Sequence, residues 1–244
     1  MRFLGKLTWT ELKLFAREPF ALVFTFAFPL VVLVSLVGSF EPGDTAFGGA
    51  TPTDYYLASY VGVVIAAVAL IALPVHVAAY RERGILRRFR ASSVPGWSVF
   101  GAQVAVGLLM AALGSVLLVL VGRFVYDAAL PEAPGRVALA FVVSTLSLLA
   151  VGFLLASLAP NARAAQAIGM ILFFPMWLFS GAGPPPSVMS AGMRQLSDLM
   201  PLTYVVRALQ DPWLGTSPNA GDLLLLVGIL VVAGVLSVRL FRSV

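Results

Sequence analysis

Tyr56-Leu57-Ala58-Ser59-Tyr60-Val61-Gly62-Val63-Val64-Ile65-Ala66-Ala67-Val68-Ala69-Leu70-Ile71-Ala72-Leu73-Pro74-Val75-His76-Val77-Ala78-Ala79-Tyr80 contains no Asp, Glu, Lys or Arg. A helix crossing a hydrocarbon core about 30 Å thick needs roughly 20 apolar residues at about 1.5 Å rise each. This run meets that length, and five further stretches approach or match it. Spans are expected near Phe20 to Phe40, Tyr56 to Tyr80, Ser98 to Gly122, Val137 to Leu158, Ala165 to Gly181 and Leu223 to Val238, the last two being short.

Composition agrees. Of 244 residues, 60% are hydrophobic and 11% charged, with a mean hydropathy of +0.97. Soluble domains carry roughly 45–50% apolar and about 25% charged residues, so these residues build an all-α integral membrane protein with six transmembrane helices. The chain has no cysteine and one histidine. That excludes disulfides, thiolate chemistry and His-rich metal sites, and no catalytic or metal-ligating set is expected. No phosphate loop, G-x-G-x-x-G or H-E-x-x-H occurs. If this chain drives transport, the energy must come from another chain.

With six spans both termini share one side. Arg2, Lys6, Lys13, Arg17, Arg81, Arg83, Arg87, Arg88, Arg90, Arg163, Arg239 and Arg242 fall on that side, against Arg123, Arg136, Arg194 and Arg207 opposite. Excess Lys and Arg marks the cytoplasmic face, which places both termini in the cytoplasm. The first span follows a basic segment, but its apolar run exceeds the roughly 7–15 residues of a signal core. It reads as a retained span, and a bacterial inner membrane is the simplest address.

Within these boundaries the spans hold no acid and no Lys or Arg, unlike the ion relays of coupled transporters. His76 reads as a hydrogen-bonded interhelical residue rather than a gate. Small residues recur every four positions, as Ala58, Gly62, Ala66, then Gly101, Ala105, and Gly107, Ala111, Ser115, and mark close helix packing. Pro29, Pro74 and Pro175 fall inside spans, where a missing N–H bends a helix.

On a helical wheel the first eighteen residues sort Phe3, Leu4, Leu7, Leu14 and Phe15 into one arc and Arg2, Lys6, Lys13 and Arg17 into another. That pattern describes an amphipathic helix in the headgroup layer, in contact with membrane lipid. Glu11 and Glu18 disagree, because both project into the apolar arc. Either they reach an exposed edge or they pair with arginines of the next loop. That loop, 81–97, carries Ile85, Leu86 and Phe89 at helical spacing among its arginines and reads as a short amphipathic docking helix. On the far side, 182–222 is too long for a turn and too apolar for a linker. It predicts short re-entrant helices, one started by Pro201, with Trp213 at the membrane interface.

Three segments carry a family resemblance: Glu11-Leu12-Lys13-Leu14-Phe15-Ala16-Arg17-Glu18-Pro19; Glu82-Arg83-Gly84-Ile85-Leu86-Arg87-Arg88-Phe89-Arg90-Ala91; and Pro175-Met176-Trp177-Leu178-Phe179-Ser180-Gly181 followed by Leu199-Met200-Pro201-Leu202-Thr203-Tyr204. In order and placement the chain resembles the permease subunit of type-2 ATP-binding-cassette exporters, including bacterial drug and antibiotic efflux permeases. The resemblance implies one permease domain over 1–244, with an interface helix over 1–19 that includes Glu11, Arg17 and Glu18. It implies a coupling helix in 81–97, with Glu82, Gly84, Ile85, Leu86, Arg87, Arg88 and Phe89 facing a separate ATPase. It implies an external re-entrant segment over 182–222, with Pro201, Tyr204 and Arg207. Two permease chains, expected as a homodimer, would work with two ATPase copies that bind ATP and Mg; no cofactor is expected in this chain and no nucleic acid as partner. Hydrophobic or amphipathic cargo is implied, and Phe173, Phe174, Met176 and Phe179 are candidates to line its path. The alternative is a membrane scaffold or sensor that recruits a cytoplasmic protein through its basic loop.

Overall fold

The computed structural model describes residues 2–15, 17–40, 45–85, 96–217 and 219–242. Among these the chain is helical, with no strand. Six helices are long and apolar enough to cross a membrane, as the sequence predicts. We label the helices α1 (Arg2–Phe15), α2 (Pro19–Val37), α3 (Pro52–Glu82), α4 (Gly96–Tyr126), α5 (Pro134–Leu158), α6 (Ala162–Phe179), α7 (Ala191–Ser197), α8 (Pro201–Trp213) and α9 (Ala220–Arg242). The end of the bundle that carries both termini is the terminal end, and the other is the far end.

Helix boundaries run past the apolar windows because capping residues, rather than hydropathy, end a helix. Thr51 accepts the Asp54 N–H at 3.1 Å and Pro52 occupies the first turn, so α3 starts before Tyr56. Pro134 opens α5, and Asn161 accepts the Ala164 N–H at 2.9 Å to open α6. The last helix, expected to be short, spans 23 residues because Asp222 and Arg239 lie within its end turns.

α3 is the hub, 94% buried along its apolar window, whereas α2, α6 and α9 form a largely exposed rim. α9 lies along α5, where the Ser147 hydroxyl donates to Leu226 O at 2.7 Å and the Ser237 hydroxyl to Ala150 O at 3.3 Å. These hydroxyls replace the hydrophobic drive that is absent between helices in lipid. Gly62, in one of the small-residue rows, lets α3 meet Val205 and Val206 of α8, and Gly107 of α4 meets Leu149 of α5.

Two of the three prolines mark a widened turn. Val23–Ala27 in α2 and Val68–Ala72 in α3 are π-helical, and each is followed by a proline two residues on, Pro29 and Pro74. The two segments touch each other. Pro74 has no N–H for the Leu70 carbonyl, or for that of Ala69 in π register. Those two oxygens are the ones approached by Gly152 of α5 and Gly169 of α6, so closely that a methyl at either glycine would overlap them. Cα–H groups thus lie against two carbonyls that Pro74 cannot serve. Pro175, by contrast, sits inside α6 without a π segment.

Candidate functional site

At the terminal end the last two turns of α3 reach α1, α5 and α6. Glu11 of α1 is only 2% exposed. One of its oxygens accepts from the Tyr80 hydroxyl at 2.6 Å and the other from the Gln103 side-chain amide of α4 at 2.7 Å. Of the two sequence readings for Glu11, the exposed edge is corrected: α1 turns its Glu11 and Phe15 face inward onto α3 and α4. Among the described residues its carboxylate meets Tyr80 and Gln103 rather than arginine. Burial pushes the Glu11 carboxyl above its ordinary range, against the pull of the Tyr80 bond, of nearby His76 and of the Gln103 bond.

Phe15, one turn on, stacks on the His76 ring with centroids 5.8 Å apart and planes at 8°. His76 is buried and bonds its own helix, with Nδ1 2.9 Å from Ala72 O. Lys13 and Trp9 stay on the outer face of α1, the ammonium lying 5.2 Å from the indole centroid. Arg17 stands exposed between α1 and α2, and Glu18 is the exposed cap residue of α2.

Arg81 and Glu82 close on the turn between α5 and α6. Arg81 donates through Nη1 to Ser157 O at 2.8 Å and through Nη2 to Ala159 O, binding carbonyls at the end of α5. Glu82 accepts the Ala162 N–H at 3.2 Å, in the first turn of α6. A cation on carbonyls at a helix C-terminus and an anion on an N-terminal amide both complement the helix dipoles. Glu82, expected to face an ATPase, thus bonds within its own chain. Gly84 has φ +67°, which suits glycine, and ends α3. Ile85 is half-buried, whereas Leu86, Arg87, Arg88 and Phe89 lie outside the described residues. Next to this clamp a cavity of about 430 Å³ is lined by Ala79, Glu82, Arg83, Asn161, Ala162 and Arg163.

At the far end α3 holds the corner after α6. Tyr55 donates to Gly181 O at 3.0 Å and Tyr56 to Gly183 O at 3.2 Å, while Trp177 donates to the Tyr60 hydroxyl at 3.1 Å. Pro201 opens α8; Arg207 pairs with Asp198 at 2.9 Å, and the Tyr204 hydroxyl donates to Asp198 O at 2.6 Å. Both side chains fix the α7–α8 turn. Gln210 reaches Ser59 Oγ at 2.7 Å. Trp213 is 4% exposed, because the apolar face of α8 packs against α3 and α5.

The aromatic stripe of α6 divides. Phe173 is fully buried against Phe24 and Phe28 of α2, and Met176 is buried as well. Phe174 is 41% exposed and Phe179 half-buried. Only these two present a substantial surface. Among the described residues no three of His, Asp and Glu converge as a metal cage.

Sequence reasoning singled out Glu11 as a misfit but not Tyr80 or Gln103 as its partners, and it placed Arg81 in the coupling loop without foreseeing its grip on the end of α5. Nothing local marks such pairings, which join positions far apart in the chain. Comparison with curated proteins finds no match. The profile of the ABC-2 type transporter family matches residues 3–212, a stretch that contains the clamp, the tyrosine-held corner and five of the six spans, and the chain therefore belongs to the ABC-2 type transporter family as a multi-pass permease component of an ABC transporter.

Proposed function

We propose that the chain is the permease of an ATP-driven exporter in a bacterial inner membrane, with the terminal end in the cytoplasm. Two copies, as a homodimer, work with two ATPases, which bind ATP and Mg. The cargo is hydrophobic or amphipathic, a drug, antibiotic or lipid, in keeping with spans that carry charge only at their ends. The exposed Phe174 and Phe179 are the remaining candidates of the α6 stripe to line its path, since Phe173 and Met176 pack inside one chain.

The observation that carries this reading is the clamp. The segment proposed to dock on the ATPase leaves α3 at Gly84, directly after Arg81 and Glu82 have gripped both sides of the α5–α6 turn. Displacement of the docking segment would therefore move the terminal halves of α3, α5 and α6 together, with α1 attached through Glu11. The excess of Lys and Arg at the terminal end, against only Arg123, Arg136, Arg194 and Arg207 opposite, supports a cytoplasmic position for it.

The test is co-expression with ABC ATPases, purification in lipid nanodiscs and measurement of ATP hydrolysis with and without Phe89→Asp. Vanadate-sensitive turnover that depends on this chain and falls on Phe89→Asp supports the reading. Turnover unaffected by that change removes the coupling role of the loop, and a chain that binds no cognate ATPase favours the scaffold instead.

A further inference from the structure

Next to the Glu11 contact, a cavity of about 30 Å³ lies between the start of α2, the inner half of α3 and α6, lined by Glu18, Phe20, Ala21, Ile71, Ala72, Val75, His76 and Gln166. His76 is 93% buried, and its Nε2 has no partner from the protein among the described residues. Nδ1 lies 2.9 Å from the Ala72 carbonyl, which can only accept, so Nδ1 carries a proton; with a single proton on the ring, Nε2 presents a lone pair. A buried acceptor left unmet is destabilising.

The wall of the cavity selects what can meet it. His76 Nε2 and an ionised Glu18 carboxylate both accept, and the Gln166 amide can donate or accept. A ligand satisfying the first two must donate twice, and the volume exceeds the about 10–15 Å³ that a water with two to four polar partners needs. We infer that this cavity is a built site for one ordered water, which donates to His76 Nε2 and Glu18 and accepts from Gln166. The water joins α2, α3 and α6 where none of these three side chains bonds another directly. It also seats the ring on which Phe15 of α1 stacks, so that the interface helix rests on a hydrated joint. The inference is independent of the exporter reading, because it concerns the permease chain alone.

The sole histidine makes the site directly observable. The full chain, labelled with ¹⁵N and ¹³C only in histidine and placed in nanodiscs at neutral pH, gives one imidazole signal set by solid-state NMR. Nδ1 is expected to be the protonated nitrogen, with Nε2 a hydrogen-bonded acceptor that receives magnetisation rapidly from water. Ala21→Val, which fills the cavity from a buried position of α2, should abolish the water transfer and shift the Nε2 resonance while the Nδ1 signal stays. A proton on Nε2, or no transfer from water in the wild-type chain, overturns the inference without any variant. So does an Ala21→Val chain whose Nε2 resonance and water transfer match the wild type.

Discussion

Glu11 is the one acid of the interface helix that the structure buries among uncharged partners, so its protonation is expected to affect how firmly that helix docks. Its carboxyl is held above the ordinary range by burial. An acid with a raised native value binds its proton more tightly docked than free. Docking is therefore fullest below the ordinary glutamate range and loses that contribution as pH rises through the raised native value. Hydrogen exchange of α1 amides, corrected for the intrinsic pH effect, should accelerate over that window. In Glu11→Gln, which keeps an acceptor for Tyr80 without a charge, the pH dependence should vanish. An unchanged slope would assign it elsewhere. Tyr80→Phe removes the donor and should weaken α1 docking by about 1–3 kcal/mol, read as faster exchange at every pH. The misfit was visible in the sequence, because an acid in an apolar arc at helical spacing needs an explanation. Its partners were not, since Tyr80 and Gln103 lie 69 and 92 positions away and nothing local in the chain specifies them.

Helices were the most legible level, for a physical reason. A membrane makes length and apolarity the dominant signal, so all six spans were found and only their capped ends shifted. Packing was legible where the small-residue rows were long, as at Gly62 and Gly107, and missed at the short pairs Gly152, Ala156 and Ala165, Gly169. Gly152 and Gly169 meet Ala69 and Leu70 beside Pro74 more closely than any other residue type could. Gly152→Ala and Gly169→Ala should each cost about 1–3 kcal/mol through overpacking, measured as earlier thermal unfolding in detergent or nanodiscs. Gly228→Ala, with nothing within 4 Å of the added methyl, should leave the transition in place or raise it. Equal effects at all three would mean that the close approach is not tight. Pro74 was expected to bend its helix; in the structure it follows a π turn, and those glycines lie against the two carbonyls that the proline cannot serve.

For the whole molecule, α3 joins two differently built ends. Tyrosines, Trp177 and Gln210 fix its far end to the α6 corner and α8, while Tyr80, Arg81 and Glu82 tie its terminal end to α1, α5 and α6. The π segment Val68–Ala72 lies between them. In the proposed exporter this arrangement would serve as a lever whose short arm moves as a block if an ATPase docks on the segment after Gly84. Glu82→Gln should loosen the clamp, leaving ATPase association intact while lowering the export obtained per ATP; an unchanged ratio would confine Glu82 to capping α6. The block itself is open to measurement, because a chain without cysteine accepts spin labels only where they are placed. Pulsed electron resonance on the complex in nanodiscs, with labels at the exposed Arg83 and Arg163 or at Arg83 and the far-end Thr216, compares the resting and vanadate-trapped states. The account predicts an unchanged Arg83 to Arg163 distance within each chain and a changed Arg83 to Thr216 distance. A separation of Arg83 from Arg163 on trapping, with Arg83 to Thr216 fixed, would contradict it.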